Sequence, residues 1–167
     1  MINMSLLGKC REGQKQVLQG FSRELRRFGT EFLICKEIYS YSYYSPKKVP
    51  FERPMQVIFQ EKESKREYTI FAPTLVNSSQ MFAGISRVVF ILLDYGEDLY
   101  TQLDYLKSIK VVRRPLFVGV LNCEDHLRDN HDLLLTGIER FFKDLGFRIH
   151  EFAMGKDDIL SLLIRII

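Results

Sequence analysis

Short apolar runs alternate with amphipathic segments along most of this 167-residue chain. Strands that are buried on both faces of a parallel sheet have such runs, and the helices that cover them have one apolar stripe. The first run, residues 2–7, ends at Gly8, and a helical stripe follows and stops at Gly29. The pattern predicts an α/β fold. The stripe consists of Val17, Leu18, Phe21, Leu25 and Phe28.

The middle of the chain departs from this alternation. Residues 32–38 fit a strand, whereas residues 39–48, rich in tyrosine and ending in two lysines, predict a long exposed excursion. Two candidate strands, 55–60 and 68–71, flank a charged segment that suits the tip of an antiparallel hairpin. The alternation then resumes, with helices predicted at residues 78–85, 99–109, 133–145 (closed by Gly146) and 157–167, and strands at 88–93, 116–121 and 147–152.

Composition narrows the class of protein. The chain has 24 Lys and Arg against 21 Asp and Glu, so its net charge is only +3, whereas a dedicated nucleic-acid-binding domain is strongly basic. Three cysteines without a CxxC pair favour neither a disulfide framework nor a zinc site, and they are typical of a reducing cytosol. The longest apolar run, residues 88–93, is too short to cross a bilayer. We therefore expect one cytoplasmic domain over residues 1–167, without a nucleic-acid partner or membrane insertion.

A more specific pattern follows the strand at residues 116–121. Asn122 and Asp125 end this apolar strand with the spacing of an Asn-Lys-x-Asp motif. Together with the order of the elements, the motif resembles the Ras-like small GTPase superfamily, and the bacterial and archaeal branch with the gliding-motility GTPases in particular. The resemblance covers nearly the whole chain. It implies a three-layer domain with a mostly parallel six-stranded sheet, one antiparallel edge strand and helices on both faces.

The same resemblance implies roles for these two residues. In that family the Asp accepts hydrogen bonds from the guanine edge, and the Asn ties the nucleotide-binding loops together. Asn122 and Asp125 match those positions. Cys123, however, stands where the family has a lysine that stacks on the base. The guanine site is therefore expected to be incomplete.

The family's phosphate-binding loop is degraded in this chain. That loop follows GxxxxGK[ST]: the glycines let backbone N–H groups surround the phosphates, the lysine contacts their oxygens, and the hydroxyl binds Mg²⁺. Gly8 and Gly13 have the glycine spacing and lie between the first predicted strand and helix. Gln14 replaces the lysine and Lys15 replaces the hydroxyl residue. Lys15, displaced by one position, is left as a vestigial phosphate contact.

The groups that bind Mg²⁺ and orient water are missing as well. No threonine occurs between Glu31 and Tyr68, where the family has a threonine that coordinates Mg²⁺. Leu75 replaces the glycine whose N–H senses the terminal phosphate, and Val76 falls where a water-orienting glutamine would follow. At the last base-contacting motif, Ala153 retains only its backbone N–H for a purine carbonyl.

These losses imply a pseudo-GTPase. A nucleoside triphosphate brings about four negative charges, which GTPases offset with the loop lysine, Mg²⁺ and a helix N-terminus. We therefore expect no catalytic residue, no metal and no required cofactor. One alternative is an atypical protein that binds GTP or GDP through Lys15, Asn122 and Asp125, with little or no hydrolysis. Another is a small α/β enzyme or receiver-like module whose likeness to GTPases is accidental.

The tyrosine-rich segment is a candidate binding surface. Tyrosines two residues apart share one face of a strand, which also fits an edge strand that rests on its neighbours. In the resembling family this region is the first switch, which partners recognise, and tyrosine is enriched at binding hot spots. We expect a protein interface for a GTPase-type or scaffold partner. It consists of Tyr39, Tyr41, Tyr43 and Tyr44, with Lys47 and Lys48 at its rim.

Overall fold

The computed structural model describes residues 1–28, 30–44, 51–94, 98–111, 115–122, 131–153, 161–162 and 164–165. Within them, none of the helices is long and apolar enough to span a membrane. The strands with assigned bounds are β1 (Ile2–Leu7), β2 (Phe32–Ile38), β3 (Ser42–Tyr44), β4 (Phe51–Arg53), β5 (Met55–Glu61), β6 (Glu67–Ala72), β7 (Val88–Asp94), β8 (Leu116–Asn122) and β9 (Ile149–Ala153). The helices with assigned bounds are α1 (Arg11–Phe28), α2 (Val76–Ile85), α3 (Leu99–Ser108) and α4 (His131–Asp144).

Seven of these described strands form one sheet, in the order β2-β5-β6-β1-β7-β8-β9. Strand β1 runs parallel to β6 and β7, and β8 and β9 continue in the same direction. Strand β5 is antiparallel to both of its neighbours, β2 and β6. Six of the seven strands therefore point one way, and the predicted α/β fold is confirmed. The antiparallel strand lies one place in from the edge, because β2 adds outside it.

Both faces of the sheet are covered, because alternate residues of the central strand belong to different core clusters. Phe90 and Leu92 pack with the apolar stripe of α1, whereas Val89 and Ile91 pack with residues of α2, α3 and α4. Burial of each such side chain stabilises the fold by about 1.5–3 kcal/mol. The expected three layers, helix, sheet and helix, follow from this alternation.

Two of the predicted turns lie where their sequence signals place them. The charged segment between β5 and β6 is the tip of an antiparallel hairpin, as expected. Helix α4 ends at Asp144 and is closed by Gly146, whose φ of 78° lies in the left-handed region that favours glycine. The N–H groups of Gly146 and Phe147 donate to the carbonyls of Lys143 and Phe142, both at 3.0 Å. This pairing is a Schellman motif, which satisfies carbonyls at the end of the helix.

The excursion predicted at residues 39–48 is exposed only in part over its described residues, and it includes regular structure. Strands β3 and β4 pair antiparallel and form a two-stranded ribbon, the β3–β4 ribbon. Just before it, Tyr39 and Tyr41 are half-buried against the core beneath α1. Their rings favour burial while their hydroxyls keep polar partners. Gly29, residues 45–48 and most of the predicted helix 157–167 lie outside the described residues; positions 161–162 and 164–165 are helical.

Candidate functional site

Four parallel strands bring their carboxyl ends to one edge of the sheet. Gly8 follows β1, while Asp94, Asn122 and Ala153 end β7, β8 and β9, and Asp94 lies opposite Asn122 in the ladder. Open α/β sheets bind ligands at this edge. Three predicted site residues, Gly8, Asn122 and Ala153, thus lie at the same edge of the sheet. The structure adds Asp94 to them. Asp125 lies outside the described residues.

The predicted phosphate loop is shorter than expected, because α1 begins at Arg11 and includes Gly13 and Gln14 in its first turn. The Gly13 N–H donates to Cys10 Sγ (3.3 Å), and the Gln14 N–H donates to the Cys10 carbonyl (3.0 Å). Cys10 therefore occupies the position that caps the helix. Two N–H groups that a phosphate loop would direct at an anion are bonded within the chain. Lys15 lies further along the helix and is partly exposed.

Both glycines of the predicted loop have a packing reason. A Cβ atom at Gly8 would lie 3.2 Å from Leu92 Cβ, and one at Gly13 would lie 2.8 Å from Asp94 Oδ2. A side chain at position 8 would press on Leu92 of β7, and one at position 13 would displace the Asp94 carboxylate, so the glycine spacing reflects close contact with the end of β7. Asp94 also places a carboxylate against the first turn of α1, where a phosphate needs positive charge.

Gln14 stands at the position of the family's phosphate-binding lysine and is completely buried, with 0% of its surface exposed. Its Nε2 donates to the carbonyls of Leu6 and Pro73, both at 2.9 Å. Its Oε1 accepts a hydrogen bond from the Tyr41 hydroxyl at 3.3 Å. Buried polar groups need such partners. The amide thus joins β1, the β6–α2 connection and the segment before the β3–β4 ribbon, and it brings no charge to the site.

Glu52, in β4, is the second buried polar side chain of the site, also 0% exposed. Its Oε1 accepts hydrogen bonds from the Thr74 N–H (2.8 Å) and the Thr74 hydroxyl (2.7 Å), and its Oε2 accepts one from the Leu75 N–H (3.0 Å). The resemblance assigns the N–H at Leu75 to the terminal phosphate of a nucleotide. In this chain that N–H donates to a carboxylate of the protein itself.

Arg11 connects the start of α1 to the β3–β4 ribbon. Its guanidinium lies 5.2 Å from the ring centre of Tyr41 and 5.6 Å from that of Tyr43, and it donates a hydrogen bond to the Tyr43 hydroxyl. Burial raises the pKa of Tyr41 well above its usual range, against the opposing effect of the Arg11 charge. Arg11 and Tyr43 together are called the Arg11–Tyr43 stack. Its outer side faces solvent, because Tyr43 is 47% exposed.

Tyr39 faces α1 and the edge strand. Its hydroxyl is hydrogen-bonded to Ser22 Oγ (2.8 Å) and to Glu37 Oε1 (2.5 Å). Burial, with the hydrogen bond to Glu37, raises the pKa of Tyr39 to about 12. Tyr39 therefore supports the fold and contributes little exposed surface. Of the other predicted interface residues, Tyr44 ends β3, and Lys47 and Lys48 lie outside the described residues.

A cavity of about 240 Å³ lies beside the same edge of the sheet. It is below the roughly 300–1,000 Å³ typical of small-molecule pockets. On one side, Gln102 exchanges two 2.8 Å hydrogen bonds with the backbone of Asp94. On another, the Lys9 ammonium lies 5.9 Å from the ring centre of Tyr105. The cavity is lined by Lys9, Cys10, Asp98, Thr101 and Gln102.

These residues do not fit a nucleoside triphosphate with Mg²⁺. A buried amide stands at the lysine position, and the first-turn N–H groups of Gly13 and Gln14 are bonded to Cys10. The carboxylates of Asp94 and Glu52 lie where the resemblance places phosphates. A carboxylate beside a phosphate repels it, because both groups carry negative charge.

The sequence motif marks Gln14 only as the replacement of a lysine, and it assigns no role to Glu52 or Asp94. A signal for Gln14 was present: it precedes Val17 and Leu18 by three and four residues, which places it on the buried stripe of α1. No comparable signal exists for Glu52. Its partners are 22 and 23 residues away in sequence, and no motif marks it.

No family model matches this chain, and no curated protein is detectably similar to it in sequence. Solved structures with the same fold include Era in complex with MgGDPNP and nucleotides 1506–1542 of 16S ribosomal RNA, at 16% identity and a TM-score of 0.59 over 97% of this chain and 55% of that chain. An Era variant of Aquifex aeolicus bound to GDP·AlF₄⁻ has 16% identity and a TM-score of 0.58 over the same shares.

A variant of SsGBP is similar at 12% identity, with a TM-score of 0.52 over 99% of this chain and 56% of that chain. The chain spans little more than half the length of the solved proteins it matches. Identities this low show the fold alone. The chain therefore has the P-loop GTPase fold that Era exemplifies.

Proposed function

We propose that this chain is a noncatalytic protein of the small-GTPase fold, a pseudo-GTPase, which binds another protein as a scaffold or regulatory subunit of a complex. The observation that carries the proposal is the complete burial of Gln14. A lysine in that position neutralises phosphate, whereas the Gln14 amide is hydrogen-bonded to Leu6, Pro73 and Tyr41. A side chain of the protein itself therefore occupies the position of the phosphate-binding group.

The charge of the site supports the same proposal. The carboxylate of Asp94 lies against Gly13, and that of Glu52 accepts the Leu75 N–H. A nucleoside triphosphate with about four negative charges would meet these carboxylates without a lysine at the lysine position to offset them. Nucleotide is therefore neither favoured nor needed to join the segments around the site.

The exposed side of the Arg11–Tyr43 stack is the surface proposed to meet the partner. Tyr and Arg are enriched at binding hot spots, and a ring held by a guanidinium loses little further freedom on binding. One similar structure contains ribosomal RNA, but the net charge of +3 in this chain favours a protein partner. Affiliation to the gliding-motility branch, and a single domain over residues 1–167, are further parts of the proposal.

Substitution Tyr43→Ala tests this surface. The tagged protein is expressed in its native cells, and recovery of the partner is quantified by mass spectrometry with and without added GTP. We expect partner recovery to fall by at least about fivefold, because loss of a hot-spot side chain costs more than about 1 kcal/mol. Stability should change little, since an exposed cation–π contact contributes only about 0.5–1 kcal/mol.

Tyr100→Ala on α3 is the matched control, because Tyr100 is 80% exposed and lies outside the ribbon. It should retain the partner in full, and GTP should change neither result. Equal recovery with both variants would refute the proposed surface. A partner that is captured only with GTP and Mg²⁺ would instead favour the atypical nucleotide-binding protein.

A further inference from the structure

The residues just before α2 form a corner of hydrogen-bond donors. The N–H groups of Thr74 and Leu75 and the Thr74 hydroxyl all point to one carboxylate, at donor–acceptor distances of 2.7 to 3.1 Å. Leu75 occupies the N-cap position of α2 and supplies no side-chain cap. Unbonded N–H groups at a helix N-terminus attract anions. This corner is thus an anion site, and its anion is Glu52.

The carboxylate comes from a distant element. Glu52 lies in β4, directly opposite Tyr43 of β3 in the ladder, and more than 20 residues before its donors. Its hydrogen bonds therefore tie the β3–β4 ribbon to the β6–α2 connection. Among the described residues, no cationic side chain forms an ion pair with Glu52. The ion pair that these residues do contain joins Arg26 and Glu37.

Burial of a carboxylate is unfavourable unless its oxygens are hydrogen-bonded, and bonds to an ionised group are about twice as strong as neutral ones. Here both oxygens of Glu52 are bonded, so separation of the ribbon from α2 would expose three donors and one buried charge together. The contact is therefore a cooperative link between two elements and more than a helix cap.

We propose that Glu52 is an internal anion that holds the β3–β4 ribbon against the start of α2, in place of a ligand phosphate. The chain itself then holds the ribbon, which carries Tyr43, against the start of α2. No ligand is needed to keep it there. This inference concerns the conformation of the chain and does not depend on the identity of a partner. It predicts that a small free carboxylate can replace the removed side chain.

Hydrogen–deuterium exchange of Glu52→Ala tests the proposal, with sodium chloride or sodium formate at equal ionic strength. In chloride, we expect exchange to accelerate by at least about tenfold, both at residues 74–75 and in the ribbon at 42–44 and 51–53, because hydrogen bonds to a charged group are lost. In formate, protection should return at both places. Glu63→Ala, an exposed glutamate at the hairpin tip, is the matched control and should alter neither.

Acceleration confined to residues 74–75 would overturn the proposal, because Glu52 would then only cap α2. Formate that restores no more protection than chloride would overturn the role of an internal anion. If Glu52→Ala does not fold, Glu52→Gln and Thr74→Val replace it, since each removes part of the link and keeps most of the volume. A ribbon as protected in both variants as in the unmodified protein would equally refute the proposal.

Discussion

At the scale of one residue, Gln14 shows how a side chain at a ligand-binding position can have a structural role. Burial of a lysine ammonium is strongly unfavourable unless an anion comes with it. A buried amide carries no such requirement once its donors and acceptor are bonded, as they are to Leu6, Pro73 and Tyr41. The side chain that would bind a ligand in a GTPase therefore becomes part of the core.

Gln14→Ala should lower the free energy of unfolding by about 2–4 kcal/mol, because it leaves a small void and removes partners from two buried carbonyls. Urea denaturation measures this value. The control is Gln16→Ala, an exposed position of the same helix, for which we expect a change within about 0.5 kcal/mol. Equal effects of the two substitutions would show that Gln14 does not hold the surrounding segments together.

At the scale of elements, α1 and the edge strand β2 are joined by polar side chains. Arg26 of α1 forms an ion pair with Glu37 of β2, and Tyr39 is hydrogen-bonded to both Glu37 and Ser22 of α1. Partial burial of Glu37 acts to raise its pKa, but the hydrogen bonds from Tyr39, Arg26 and Ser22, with the Arg26 charge, outweigh it and hold the pKa below its ordinary value of 4.5.

This shift predicts an acid-sensitive contribution to stability. A carboxyl group whose pKa is lowered by folding stabilises the native state fully above its ordinary pKa, and that contribution is lost as pH falls through the lowered value. Urea denaturation at several pH values below 4.5 should therefore show a shallower loss of stability for Glu37→Gln than for the unmodified protein. If the free energy of unfolding falls equally steeply with pH in the two proteins, Glu37 does not provide the acid-sensitive contribution.

The elements that could be predicted from sequence are those with a repeating signal. Strand β7 is apolar from Val88 to Leu93 because both of its faces are buried there, and a glycine follows α4 because the backbone turns left-handed at Gly146. Strands β3 and β4 have three residues each, too few for a periodic pattern, and depend on contacts made elsewhere. The same holds for the site: the stripe of α1 could have revealed Gln14, whereas Glu52 depends on tertiary contact alone.

For the whole molecule, the central claim is that side chains of the chain replace a nucleotide as the link between three segments. Gln14 joins the end of β1 to the β6–α2 connection and Tyr41, and Glu52 joins that connection to the β3–β4 ribbon. The similar solved structures of Era contain MgGDPNP or GDP·AlF₄⁻, and this chain shares their fold at 16% identity.

Thermal unfolding with millimolar GTP, GDP or ATP, each with and without Mg²⁺, tests this claim most directly. A ligand at 100 times its dissociation constant stabilises a protein by about 2.7 kcal/mol, which gives a readily measured rise in the unfolding temperature. We predict no rise with any of the three nucleotides under either condition. A rise specific to GTP or GDP, and lost in Asp125→Ala, would contradict the account.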